Sequence, residues 1–146
     1  QYTDKQYIEF SRSAGFIQWR FFSRPGVYFF YRLENTSCFF VCRVLTWHGL
    51  SLLSIVDYRT TLKKSREFDL ILKAARKLTT LTGLDGIMTM SSLSFFDRIL
   101  KKNGFIGTGR PQPVLTNAPV DISPEQIENR NIVYATMADC DIDLNL

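Results

Sequence analysis

Apolar and polar positions along this chain change period several times, and each change marks an element. Thr3 and Gln6 stand at capping-box spacing before an apolar pattern of helical period, so "TDKQYIEFSRS" is expected to be a helix. A second helical piece, "FIQWRFF", follows Gly15 and stops at the turn "SRPG", Ser23 to Gly26. "VYFFYRL" and "SCFFVCRVLTW" are rich in aromatic and β-branched residues and read as strands. His48-Gly49 forms a hairpin turn into "LSLLSIVDY". That stretch is almost wholly apolar, as a central strand covered on both faces would be.

From about Ser65 to Thr82 the apolar positions are Phe68, Ile71, Leu72, Ala75, Leu78 and Leu81, a helical stripe that Gly83 would stop. "GIMTM" is a short strand. Ser94 and Asp97 form a further capping box, before the helix "FFDRILKKN" that ends at Gly104. "FIGTG" and "PVLT" suggest a strand broken by glycine and proline. "DISPEQIENRN" has Ser123 as cap, Pro124 at the first helical position and Gln126 at the third, a short surface helix. "IVYATM" is the last strand and "ADCDIDLNL" an acidic tail. Three antiparallel strands therefore feed a β-α-β-α-β half, which predicts an α/β domain with a mixed central sheet and helices on both faces.

Length and composition narrow this. The 146 residues suit one domain, 1–146, and 45% hydrophobic with 22% charged residues is ordinary for a globular protein. The net charge of +4 permits an anionic ligand without calling for nucleic acid. Cys38, Cys42 and Cys140 are an odd set without paired spacing, which fits buried thiols in a reducing cytoplasm. The lone histidine, His48, excludes a His-rich zinc site, and no metal is expected. No apolar run approaches the roughly 20 residues of a membrane span, and no signal peptide is visible, so no membrane partner is expected. The chain begins at Gln1 without Met, and a fragment of a longer protein is expected.

Candidate chemistry gathers after the central strand. Ligands of open α/β sheets lie beyond the carboxyl ends of strands, and here that end is Tyr58 to Ser65. Arg59, Lys63, Lys64, Arg66, Lys73, Arg76 and Lys77 stand against only Glu67 and Asp69. The segment either receives phosphates or forms a solvated basic helix face. Asp57, closing an apolar strand, could take a proton from an amine, or could cap a loop or pair with a neighbouring arginine. Asp139, Asp141 and Asp143 alternate and could attract a cation, or be a solvated tail. Tyr58 and Tyr134 could donate hydrogen bonds near strand ends. Trp19 and Trp47 are expected in the core or a pocket wall. The aromatics of "VYFFYR" would line an acyl pocket or fill a sheet–helix interface.

In their order, "QWRFFSRPGVYFFYR", "IVDY", "KKNGF" and "YATMADCDID" resemble a subgroup of GNAT and Fem-like proteins, from about Asp4 to Asp143. The resemblance implies an acyl-CoA N-acyltransferase fold lacking its first strand and helix. It implies acetyl-CoA or another acyl-CoA as co-substrate, beside a splayed central strand. In GNAT proteins a Gln/Arg-x-x-Gly-x-Gly/Ala loop cradles the pyrophosphate; here the segment is "RTTLKKSR", without glycine. A general-acid Tyr often stands four residues before the Gly of "KxGF"; here that residue is Leu100.

The function this implies is transfer of an acyl group to a small-molecule amine. Val56, Asp57, Tyr58 and Arg59 would bind the cofactor, with backbone amides near Val56 and Asp57 holding the pantetheine and stabilising the oxyanion. Lys63, Lys64, Ser65 and Arg66 would face its phosphates, and Asp57 would be the catalytic base. The alternatives are a non-catalytic GNAT-like module supporting binding or assembly, or a Fem-type aminoacyltransferase domain. The implied partners are an amine acceptor and a missing N-terminal segment or domain of the same protein.

Overall fold

The computed structural model describes residues 8–9, 12–23, 26–60, 65–109, 125 and 133–139. Its centre is the hairpin of β3 (Phe39–Trp47) and β4 (Leu50–Arg59), paired antiparallel from Phe39↔Arg59 to Trp47↔Leu50. Two residues are left for the turn, His48 at φ 49° and Gly49 at φ 80°. Both central residues of a two-residue turn matching the strand twist need positive φ, and Gly49 meets that need without steric cost.

β2 (Phe29–Arg32) pairs antiparallel with the outer side of β3. On the other side of β4, the helix α2 (Ser65–Thr82) returns the chain to β5 (Gly86–Thr89), which pairs parallel with β4. The sheet is therefore mixed, in the order β2-β3-β4-β5. From Leu52 to Tyr58 every residue of β4 is buried, as its unbroken apolar run predicts.

Each face of the sheet carries its own core. On one, Cys42, Leu53, Ile55 and Tyr58 pack with Phe68, Ile71, Leu72 and Ala75 of α2. Phe96 and Leu100 of α3 (Ser94–Lys102) complete that layer. On the other face, Val41 and Val56 meet Phe21, Tyr28, Met137 and Ala138. Phe21 comes from a π-helical turn, Gln18–Phe22, that continues α1 (Ala14–Ile17). The expectation of a mixed sheet with helices on both faces holds. Ser13 caps α1 by accepting from the Phe16 amide at 3.1 Å. Cys38 and Cys42 are both buried in the first core as free thiols. Among the described residues no helix is long and apolar enough to cross a membrane.

Several local expectations give way to tertiary context. Ile8–Glu9, expected in a helix, forms β1 and pairs parallel with β6 (Val133–Tyr134). Pairing to a distant strand outweighs a weak helical propensity there. The last strand is only these two residues, and "ATMAD" instead makes a 3₁₀ turn at Met137–Asp139. Ser94 is the first helical residue rather than the cap. Leu93 holds the cap position, and its carbonyl receives the Phe96 and Asp97 amides. The α2 stripe ends at Leu78, because Leu81 is exposed beside the terminal Gly83. Trp19 is 62% exposed, not core, and Phe29, Phe30 and Tyr31 are exposed on the edge strand β2. Phe30 still stacks on Phe22, with centroids 5.2 Å apart. Residues 105–109 form no strand. Thr3, Gln6, "PVLT", Ser123, Pro124, Gln126, Asp141 and Asp143 lie outside the described residues.

Candidate functional site

The site grows out of an irregularity in β4. Between Val41 and Cys42 the register of β3 against β4 slips, so that Val41 faces Asp57, Cys42 faces Ile55, and Val56 is the extra residue. A bulge bends its strand and sharpens the twist. The parallel pairing of β4 with β5 has its last partners at Ile55↔Thr89, one residue before the extra one, while β4 continues to Arg59. β5 ends there as well, so the parallel pairing stops at the bulge.

The bulge also decides where Asp57 points. Ile55 and Tyr58 both belong to the core under α2 and α3, and Val56 belongs to the opposite one. Strict alternation from Ile55 would carry a carboxylate into the apolar layer of α2. Instead Asp57 joins Val56 on the far side, where polar partners wait. It is 1% exposed. Arg12 donates to it through Nε at 3.0 Å and Nη2 at 3.2 Å. The Thr136 hydroxyl donates to Oδ1 at 2.9 Å. A buried carboxylate is tolerable only with such partners.

Arg12 reaches further. Its Nη1 and Nη2 both donate to Asp139, the latter at 2.8 Å, and Nη2 also reaches the Thr136 hydroxyl oxygen at 3.1 Å. One guanidinium thus joins a strand carboxylate to the carboxylate of the 3₁₀ turn, in the forked geometry that arginine favours. Burial works against the charge of Arg12. The hydrogen bonds to Asp139 and Asp57, with their negative charges, outweigh that and hold its pKa above the ordinary arginine value. The guanidinium also lies 5.0 Å from the Phe16 ring centroid. Asp139 in turn accepts the Thr136 amide at 2.8 Å, while its own amide donates to the Thr136 carbonyl at 3.0 Å.

Residues 134–139 span the place where the parallel pairing stops. On the β4 side, the Tyr134 hydroxyl donates to the carbonyl of Tyr58, and the Ser54 hydroxyl donates to the Met137 sulfur at 3.5 Å. On the β5 side, the Ala135 amide donates to the Ser92 hydroxyl at 2.7 Å. The Tyr134 ring packs edge-on to Tyr58 at 5.9 Å, and Arg59 covers it at 5.2 Å. Tyr58 donates through its hydroxyl to the Met90 carbonyl at 3.2 Å. Burial raises the phenol pKa of both tyrosines above the ordinary value. Nearby, buried Arg20 donates to the Ala138 carbonyl at 3.2 Å and to the Tyr28 hydroxyl oxygen at 3.0 Å.

The structure brings Val56, Asp57, Tyr58 and Arg59 together at the strand end, with Val56 and Tyr58 on opposite faces. Lys63 and Lys64 lie outside the described residues. Ser65 opens α2, and Arg66 is exposed on its first turn. Leu100 is buried in the core beneath α3. Reasoning from sequence missed Arg12 and Thr136. The pattern Thr136-x-x-Asp139 was legible as a capping box, and the Asp139 side chain does reach back to the Thr136 amide. Nothing local to Arg12 announces its partners, which are 45 and 127 residues away. Among the described residues no group of three or more His, Cys, Asp or Glu side chains could hold a metal ion. No protein-family model matches the chain, and neither a curated protein nor a solved structure shows significant similarity to it.

Proposed function

We propose that this chain is a GNAT-like domain that binds acetyl-CoA or another acyl-CoA and passes the acyl group to a small-molecule amine. The observation that carries the reading is the end of the parallel pairing at a bulge, with β4 running on to Arg59 beyond its last β5 partner. The β4–β5 pairing ends at Ile55↔Thr89, and an extended pantetheine could lie along the β5 side of β4 beyond it, as a strand would. The reaction forms the C–N bond of the amide and breaks the C–S bond of the thioester. Two protons leave the acceptor's ammonium: one goes to solvent before the attack, and the other passes from the attacking nitrogen to the departing thiolate. Donors near Val56 and Asp57 would hold the oxygen on which negative charge develops. Arg59, Lys63, Lys64, Ser65 and Arg66 would attract the phosphates, in place of a glycine cradle.

Both oxygens of Asp57 already have donors, so its role in this reading is to hold the strand end in position rather than to take the proton. A second reading, a GNAT-like module without turnover, is favoured by residues 134–139 lying across the end of that pairing. Calorimetric titration of acetyl-CoA and CoA, beside a Lys63→Ala/Lys64→Ala variant, separates them. Binding that the variant loses by tenfold or more supports the acyltransferase reading. A folded protein that takes up no heat with either ligand leaves the non-catalytic module.

A further inference from the structure

The chain carries 18 Lys and Arg against 14 Asp and Glu. Seven of those cations and three of those acids lie on α2 and α3. The rest of the chain is balanced at eleven of each, so the whole net charge of +4 belongs to this one helical layer. On α2, Arg66, Lys73 and Lys77 recur at spacings of seven and four residues, which sets them along one ridge of the helix. On α3, Arg98, Lys101 and Lys102 share a face by the same rule. These cations are all exposed, while Glu67, Asp69 and Asp97 are half-buried. Asn103, at the end of α3, fastens the two ridges side by side. Its side-chain amide donates to Asp69 at 3.1 Å, and its carbonyl accepts from Arg76.

Each ridge runs out into an exposed aliphatic residue. Four positions after Lys77 stands Leu81, 72% exposed. Four positions after Lys102 stands Ile106, 92% exposed, although its neighbour Phe105 packs against the core. Cations beside exposed aliphatic side chains match a lipid surface, where anionic headgroups take the charge and the acyl boundary takes the apolar tips. A nucleic acid would use the cations and leave Leu81 and Ile106 in water. We propose that the α2–α3 face docks on an anionic lipid bilayer, with its Lys and Arg side chains against the headgroups and Leu81 and Ile106 entering the interface. The contact needs no acyl-CoA and stands apart from the reading above. The lack of a spanning apolar run, on which the expectation of no membrane partner rests, does not bear on a surface contact.

Vesicle flotation of the whole chain tests this, comparing vesicles of phosphatidylcholine alone with equal mixtures of phosphatidylcholine and phosphatidylserine. Phosphatidylserine is expected to raise the partition coefficient at least about tenfold. Added salt should lower it again, because screening shortens the reach of the charges. Lys77→Gln/Lys101→Gln/Lys102→Gln changes only exposed side chains, so its circular dichroism and urea midpoint should stay close to the parent's. That variant is expected to lose at least about tenfold of the phosphatidylserine-dependent binding. Ile106→Ser should weaken binding about threefold and keep the salt dependence. Equal binding to both vesicle types, or binding to neither, overturns the proposal. A folded triple variant that binds as the parent does moves the contact off this face and overturns it too. Binding unchanged in Leu81→Ser/Ile106→Ser, with a short DNA duplex held more tightly than the vesicles, overturns the lipid assignment in favour of a nucleic acid.

Discussion

Replacing Arg12 by alanine would leave Asp57 and Asp139 sharing a buried space, bonded among the described residues by the Thr136 hydroxyl and amide. The side chains of Asp57 and Asp139 are 2% and 3% exposed, so water offers little relief. Breaking one partner of a buried ion pair costs about 3–5 kcal/mol, because the remaining charge stays desolvated. Arg12→Ala is therefore expected to lower the urea midpoint strongly, and adding Asp57→Asn should recover part of the loss. Equal stability of Arg12→Ala and parent would show that the cluster is not held in solution. The sequence points to Asp57 and offers pairing with a neighbouring arginine as one of its roles, beside proton removal and loop capping. It could not choose the arginine, because the choice depends on the bulge that turns Asp57 away from Ile55 and Tyr58.

At the scale of elements, the β3–β4 hairpin sets the register on which the site depends. Its turn holds Gly49 at φ 80°, in the left-handed region where a side chain is strained. Gly49→Ala is expected to cost about 1 kcal/mol in equilibrium unfolding. A midpoint unchanged from the parent would mean that the turn relaxes to another type. Alternation, apolar runs and turn residues foretold this hairpin, β4 and the whole of α2, because short-range chemistry determines those elements. Prediction failed at β1, expected in a helix, and overran β6, expected along "IVYATM" and formed only at Val133–Tyr134; these two short strands come from pairing across more than 120 positions of sequence. At β2 the strand forms as expected, but Phe29, Phe30 and Tyr31, expected to line a pocket or a sheet–helix interface, are exposed because the strand lies at the sheet edge.

The whole molecule keeps several ionisable groups neutral by burial. Burial pushes the Cys42 thiol up to about 12, and raises the phenols of Tyr58 and Tyr134. Each group stays protonated in the fold but ionises at its ordinary, lower pKa in the unfolded chain. The stability they contribute is complete below that ordinary value and is lost as pH rises toward the folded one. Each group in its window contributes a slope of about 1.4 kcal/mol per pH unit. Urea midpoints are therefore expected to hold from pH 7 to 8 and to fall steeply between pH 9 and 11. A Cys42→Ala variant should show a shallower fall, and an alkaline limb identical to the parent's would count against thiol burial.

The sequence by itself determined the mixed α/β class, the order β2-β3-β4-α2-β5-α3 and the buried central strand. These follow from side-chain period and from residues that stop or turn the chain, all of which act within a few positions. Only the tertiary structure decided that β4 bulges at Val56, that Asp57 faces Arg12 and Thr136, and that residues 134–139 cross the end of the β4–β5 pairing. A bulge is the outcome of fitting a strand against its neighbour, and a buried charge pair is chosen by which chain segments meet. Neither leaves a local period to read.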